Sequence, residues 1–314
     1  DQQVRSWESE SGLEIRWVKE IRGSRGAGLK EGFWQRVKNV LFGRDNQFIA
    51  RPYGIYAEDS RLLCISDPGS GKFHLYDIEK GKSRVLDRVG DMGLSSPLGI
   101  TGDGKGTLFL TDSALGRIFR YDSDKNSLKS FSETTLQRPT GIAFNPDNWQ
   151  IYVADTLAHQ VVVFGLDGVE RFRIGQRGPG PGAFNFPTDL WIDSEGRLLV
   201  TDSLNARVQV FSPRGEFLTL LGSRGHAAGF LDKPKGVATD SAGRIYVCDA
   251  LKDSVQVFSP EGVFLLRLGE RGQAAGQFWM PAGLFIDGSR IYVSDSYNQL
   301  IQVFESVEKL ADGQ

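Results

Sequence analysis

The chain has 314 residues, 40% of them hydrophobic and 24% charged, with 37 lysines and arginines against 39 aspartates and glutamates. A formal net charge of −2 argues against a dedicated nucleic-acid binder, which normally shows a basic excess. Two cysteines exclude a disulfide-rich scaffold, a cysteine zinc cluster and a covalent c-type haem, and no apolar run approaches the roughly 18 residues of a membrane span.

In chain order, the first strand-like run is Ile15–Ile21, ending in the string Gly-Ser-Arg-Gly at Gly23–Gly26. In the insertion that follows, Phe33, Trp34, Val37, Val40 and Leu41 recur at helical spacing, which predicts one amphipathic helix over Gly32–Phe42. Arg25, Lys30, Arg36, Lys38, Arg44 and Arg51 stand against Glu31 and Asp45 in this stretch, a basic excess that a solvated helix face accounts for.

A repeat of about 46 residues then begins. Each copy opens on a proline, at Pro52, Pro97, Pro139, Pro187, Pro234 and Pro281. Each closes an apolar run on an aspartate, at Asp67, Asp112, Asp155, Asp202, Asp249 and Asp295. The fifth copy shows the internal layout, with strands expected at Gly236–Thr239, Arg244–Cys248, Ser254–Phe258 and Val263–Leu268, separated by Asp-Ser-Ala-Gly, Asp-Ala-Leu-Lys and Ser-Pro-Glu-Gly turns. A four-stranded meander of this kind buries both faces only by stacking on neighbours around an axis. Apolar residues on both faces of Ile245-Tyr246-Val247-Cys248 fit that arrangement.

The sixth copy has only ten residues left after Phe304 and lacks an outer strand. Three copies end in Gly-x-Arg-Gly, at Gly175–Gly178, Gly222–Gly225 and Gly269–Gly272, and the same string follows Ile15–Ile21. The N-terminal run is therefore expected to supply the missing strand, which removes two open sheet edges. The expected fold is one all-β domain, a six-bladed β-propeller of four-stranded antiparallel blades. Its parts are the outer strand of blade 6 (15–22), the helix-bearing insertion (23–50), blade 1 (51–94), blade 2 (95–137), blade 3 (138–185), blade 4 (186–232), blade 5 (233–279), the rest of blade 6 (280–307) and a tail (308–314).

The stretches from Phe186 to Phe211, Lys233 to Phe258 and Met280 to Phe304 resemble the NHL repeat, with its Pro-x-Gly opening, Gly-x-Ile-Tyr-Val-Ala-Asp second strand and Arg-Val-Gln-Val-Phe third strand. The resemblance covers about residues 51–307 and is weakest in blade 2. The glycine-rich connections and the N-terminal strand are most similar to bacterial NHL-repeat proteins exported from the cytoplasm, many of them lipoproteins. That resemblance implies a periplasmic, cell-surface or secreted scaffold, lipid-anchored in its precursor, with a multihaem cytochrome system as a partner. The start at Asp1 fits a removed leader and a trimmed chain alike.

A residue present in every blade is there for the blade, so the six aspartates are read as Asx-type caps of the turns after them. Arg25, Arg177, Arg224 and Arg271, at matched places in the connections, are read as structural too, pairing carboxylates or carbonyls, with a basic crown as the alternative. NHL-type amidating lyases bind zinc through histidines just after the leading proline. Those positions here hold Tyr53, Leu98, Thr140, Thr188, Lys235 and Ala282, while His74, His159 and His226 fall elsewhere, so no metal or other cofactor is expected. Cys64 and Cys248, in blades 1 and 5, are read as unpaired buried residues.

Departures from the repeat are the candidate site. Asp189 stands where other blades have Gly54, Gly99, Gly141, Gly236 and Gly283, and Lys235 lies on the adjacent blade. The two either form a local ion pair or, with Tyr53, Thr140 and Thr188, a polar binding spot at the channel mouth. Phe186 and Trp279, close before their prolines, add aromatic surface on the same rim. The leading expectation is a non-enzymatic assembly propeller acting outside the cytoplasm, with a protein partner on the helix-bearing rim. The alternatives are a hydrolase or lyase with a small polar or metal site at the channel mouth, and an RNA-binding propeller.

Overall fold

The computed structural model describes residues 5–24, 26–28, 48–59 and 61–308. Alternation along the second strand of each repeat decides the architecture. In Ile245–Asp249, Tyr246 and Cys248 face a core shared with blade 6, whereas Ile245 and Val247 face one shared with blade 4. A strand that is apolar on both sides must be covered twice. The ring does this with six hydrophobic clusters, one at each seam between neighbouring blades. Each valine, leucine or isoleucine buried there contributes about 1.5–3 kcal/mol.

Five antiparallel sheets have four strands in meander order, and their first strands are Ile55–Glu58, Pro97–Gly102, Pro139–Asn145, Pro187–Ile192 and Pro234–Thr239. The sixth runs Pro281–Asp287, Arg290–Asp295, Leu300–Glu308, Leu13–Ile21, so the N-terminal strand closes the ring as expected. Leu13 and Ile15 are buried in the seam with blade 5 and Ile21 in the seam with blade 1, so this strand joins two cores. The indole of Trp17 donates to Gln302 Oε1 at 3.1 Å. Two features lack a signal in the repeat. A fifth strand, Ser6–Glu8, extends blade 6, and its Trp7 stands edge-on to Phe304. A small hairpin, Arg88–Val89 with Met92–Gly93, lies between blades 1 and 2.

The helix expected over Gly32–Phe42 lies outside the described residues. Among the described residues the helical segments are three single 3-10 turns, Thr156–Ala158, Ser203–Asn205 and Ala250–Lys252. No helix among them is long and apolar enough to cross a membrane.

The repeated aspartates are structural, but not as the sequence suggested. Those preceding the three 3-10 turns make no side-chain cap. Instead the carboxylates reach back to the residues just before the leading proline. Asp155 accepts the N–H groups of Gln137 and Arg138 at 3.0 and 2.7 Å, and Asp249 those of Asp232 and Lys233 at 2.7 and 3.0 Å. Blades 1 and 2 add backbone turn bonds as well, from Gly69 to Asp67 and from Ala114 to Asp112, and blades 4 and 6 add side-chain ones, from Asn205 to Asp202 and from Asn298 to Asp295. Each aspartate thus ties the end of its second strand to the connection that leads into its blade. The two meet on one rim, because the first and second strands are antiparallel. That rim surrounds the channel mouth.

Candidate functional site

The first strands line the channel. In blades 2 to 6 the strand bulges just after the proline, for example between Pro139 and Ile142 and between Pro281 and Leu284, which brings neighbouring backbones together. A side chain at Gly54, Gly99 or Gly283 would run into the carbonyl of the residue that follows the next blade's proline. Glycine is required there by close approach rather than by its torsion angles. Bonds across these seams come from second-strand hydroxyls. Thr111 donates to the Thr140 carbonyl at 2.6 Å and Ser294 to the Tyr53 carbonyl at 2.7 Å, with Ser66 bonding the Leu98 carbonyl likewise.

Blade 4 breaks this scheme at Asp189. Its carboxylate accepts the N–H of Val237 at 3.1 Å, and Thr188 Oγ1 donates to the Lys235 carbonyl at 3.2 Å. Thr201, the counterpart of Ser66 and Thr111, is left with a buried hydroxyl that has no partner. Among the described residues no lysine or arginine pairs with Asp189, and burial raises its carboxyl to about 7. Its charge in turn adds to the burial that pushes the Tyr53 phenol up.

The expected Asp189–Lys235 ion pair does not form. Lys235 directly follows its proline whereas Asp189 is second after its own, and successive strand residues project to opposite sides. The Lys235 ammonium lies 5.8 Å from the centroid of the Tyr53 ring instead. Burial lowers its pKa to about 8, with Lys233, Arg138 and Arg51 adding repulsion. Tyr53, Asp189 and Lys235 are therefore brought to the mouth together. Thr140 and Thr188 are buried and committed elsewhere, Thr140 to a 2.7 Å bond with Thr156 and Thr188 to the seam.

The two aromatics are only half exposed. Trp279 lies against Tyr297 with centroids 5.5 Å apart. Phe186 packs edge-on to His159 at 4.6 Å and has φ of 57°, and its N–H donates to His159 Nδ1 at 3.1 Å. Met280 in blade 6 repeats this left-handed conformation, donating to Asp253 Oδ1 at 2.7 Å. His159 is thus a backbone acceptor, which requires the neutral ring, and burial and Arg177 lower its pKa accordingly. His74 is buried beside Asp67 in blade 1, at 3.6 Å, and His226 is exposed in the connection between blades 4 and 5. Among the described residues no three metal-ligating side chains are grouped to hold an ion.

Sequence reasoning missed two features of this rim. Two residues after the repeated aspartate, Leu157, Leu204, Leu251 and Tyr297 are 44, 41, 54 and 46% exposed, an apolar arc over blades 3 to 6. Blades 1 and 2 have Gly69 and Ala114 there. The second feature is the residue before the proline: Arg51, Arg138 and Lys233 on blades 1, 3 and 5 alternate with Ser96, Phe186 and Met280. Both regularities are visible in the aligned repeats, but only the ring shows that they share one face. Arg51 in particular belongs to this collar, not to the insertion with which it was counted. Below the mouth lies a cavity of about 180 Å³, lined by Tyr53, Asp189, Ile100 and Leu284 and, deeper, by Trp191 and Phe285. The Trp191 and Phe285 rings meet edge-on at 5.3 Å.

Comparisons with known proteins follow the same architecture. The model of the SMP-30/gluconolactonase/LRE-like region matches residues 116–224, and that of a six-bladed β-propeller family matches residues 235–306. Antigen Lp49 of Leptospira interrogans is 28% identical over 123 residues, which are 34% of this chain and 25% of that protein. The match therefore spans a quarter of the curated relative's length. Virginiamycin B lyase from Staphylococcus aureus superposes with a TM-score of 0.62 at 16% identity, covering 83% of this chain and 97% of that one. A chain of a nidogen/laminin complex does so with a TM-score of 0.60 at 19% identity, covering 92% and 97%. Identities this low establish the fold alone. The chain is a six-bladed β-propeller of NHL-like repeats.

Proposed function

We propose that the chain is a non-enzymatic binding propeller, working outside the cytoplasm, that seats a protein partner on the rim around its channel mouth. The apolar arc of Leu157, Leu204, Leu251 and Tyr297 carries this reading. Side chains of this size exposed at four matched positions on one face form the kind of surface that partners cover. The half-exposed Trp279 and Phe186 extend it inward toward Lys235 and Tyr53. The location outside the cytoplasm rests on the likeness to exported NHL-repeat proteins, which also makes a multihaem cytochrome the first partner to test.

The test is quantitative capture from an envelope or culture-medium extract, comparing the native chain with Leu204→Ser/Leu251→Ser. The partner is expected to be retained by the native chain and depleted about tenfold or more by the double variant, the loss of two central apolar contacts. Equal retention by both would remove this face from consideration.

A second reading has one observation behind it. A carboxyl with its pKa raised to about 7 in a channel cavity is the kind of group that acid–base chemistry uses. A lyase or hydrolase activity, or a bound metal, that disappears in Asp189→Ala while partner capture persists would support it over the scaffold.

A further inference from the structure

We infer that the channel mouth is an anion-binding collar, in which Arg51, Arg138, Lys233 and Lys235 receive a carboxylate carried by an acidic segment of the protein partner. The inference rests on the rim reading above and specifies what the centre of that rim recognises.

The collar is built by the fold. Arg51, Arg138 and Lys233 occupy the same place in alternate blades, so the ring sets them around the mouth at equal steps. Their backbone N–H groups are held by Asp67, Asp155 and Asp249 at 2.8, 2.7 and 3.0 Å. Buried carboxylates are therefore spent on the main chain at these positions, while the cationic side chains stay on the rim. Arg51 and Arg138 are exposed, and neither they nor Lys233 nor Lys235 form an ion pair among the described residues. Many other arginines here do pair, as Arg207 does with Asp202 and Arg244 with Asp240. Lys235, over the Tyr53 ring, feels all three of the others. Four like charges around one opening, none of them in an ion pair among the described residues, favour an anion between them, most strongly a carboxylate that an arginine can grip with two N–H groups.

What surrounds the collar selects the source of that anion. The next shell outward is the apolar arc from Leu157 to Tyr297, and the cations beside it are held on main-chain carbonyls rather than lined up along the rim, Arg224 on Leu204, Lys252 on Phe230 and Arg22 on Asn298. A nucleic acid would need cations along its phosphate track, whereas a polypeptide offers a carboxylate flanked by aliphatic or aromatic neighbours. Asp189, one residue further along its strand, limits the depth. An anion is attracted to the collar and repelled below it.

The test is fluorescence anisotropy on the full chain with three labelled probes: a decapeptide of alternating Glu and Ala, its Gln–Ala counterpart, and an oligo(dT) of equal length. At about 20 mM salt the Glu peptide should bind at least about tenfold more tightly than the Gln peptide, and the preference should shrink as salt approaches about 0.2 M. Arg51→Gln/Arg138→Gln/Lys233→Gln should weaken Glu-peptide binding about tenfold or more, and Lys82→Gln/Lys129→Gln, on outer strands, should leave it unchanged. The single variants Arg51→Gln and Arg138→Gln, at exposed side chains, give the same direction if the triple variant does not fold. Equal affinity for the two peptides, an unaffected triple variant, or tighter binding of oligo(dT) than of the Glu peptide would each overturn the proposal. If the triple variant keeps the partner that the Leu204/Leu251 variant loses, the rim reading stands and the collar falls. The reverse pattern leaves the collar and removes the rim.

Discussion

The carboxylate of Asp189 accepts the backbone N–H of Val237 at 3.1 Å, across the seam between blades 4 and 5. It joins the Thr188-to-Lys235 carbonyl bond at this seam, where the second-strand hydroxyl of Thr201 makes none, and leaves a titratable group in the channel wall. Burial holds this carboxyl at about 7, above its ordinary 3.8. Between those values the folded chain keeps a proton that the unfolded chain has lost, so stability falls as pH rises from about 4 to about 7. Asp189→Asn keeps an acceptor and does not titrate. At about pH 8 it should be more stable than the native chain by about 2 kcal/mol, channel water screening part of the full effect, and nearly equal at about pH 4. Thermal unfolding at the two pH values checks this, and equal slopes for both proteins would refute it.

His159 works in the opposite direction. Its neutral ring accepts the Phe186 N–H, and its folded pKa is depressed below the ordinary 6.5. The stability it supplies is complete above 6.5 and is lost as pH falls through the folded value. The equivalent place in blade 5 holds Asp253, which accepts from Met280. His159→Asp should therefore fold with stability within about 1 kcal/mol of native at neutral pH, and without the loss that sets in as pH falls below about 6.5. Urea midpoints across that range measure it.

Asp249 binds two amides, those of Asp232 and Lys233, and is fully buried. Asp249→Ala leaves both donors short of a partner and should cost about 2–5 kcal/mol. An unchanged urea m-value alongside the lower midpoint would show that the ring still unfolds as one unit. If the collar is correct, the same variant also loosens Lys233 and weakens the Glu peptide.

Ring closure depends on a strand far from its partner in sequence. Ile15 is completely buried in the seam between blades 5 and 6. Ile15→Ala should cost about 2–5 kcal/mol. Removal of residues 1–22 should expose the Leu300–Glu308 edge and produce concentration-dependent association, measurable by light scattering.

Cys64 and Cys248 are free and buried, and burial pushes both thiols well up. A thiolate reagent should label neither in the native protein at about pH 8 and both in denaturant. Fast labelling of the native chain would show that a second strand opens.

The blade count and the closing strand were legible in the sequence, and the strand borders to within two residues, because a repeat states its rule six times. Apolar alternation in Ile245–Cys248 already required a neighbour on each face, and the Gly-x-Arg-Gly string identified the displaced strand. Two kinds of information lay beyond that reading. One was non-periodic: Ser6–Glu8 and the hairpin at Arg88–Gly93 occur once, so no second copy marks them. The other was direction. The repeated aspartates looked like caps of the turns after them, and only three dimensions show Asp249 gripping amides 16 and 17 residues earlier. Asp189 and Lys235 looked like an ion pair on adjacent blades, yet one residue of offset in a pleated strand turned one toward Val237 and the other toward Tyr53. Sequence alone determined that this chain closes into six blades, since burial of two-sided strands allows little else. Only the tertiary structure decided that Arg51, Arg138 and Lys233 surround one opening, because residues that distant in sequence meet through rotation about the ring axis.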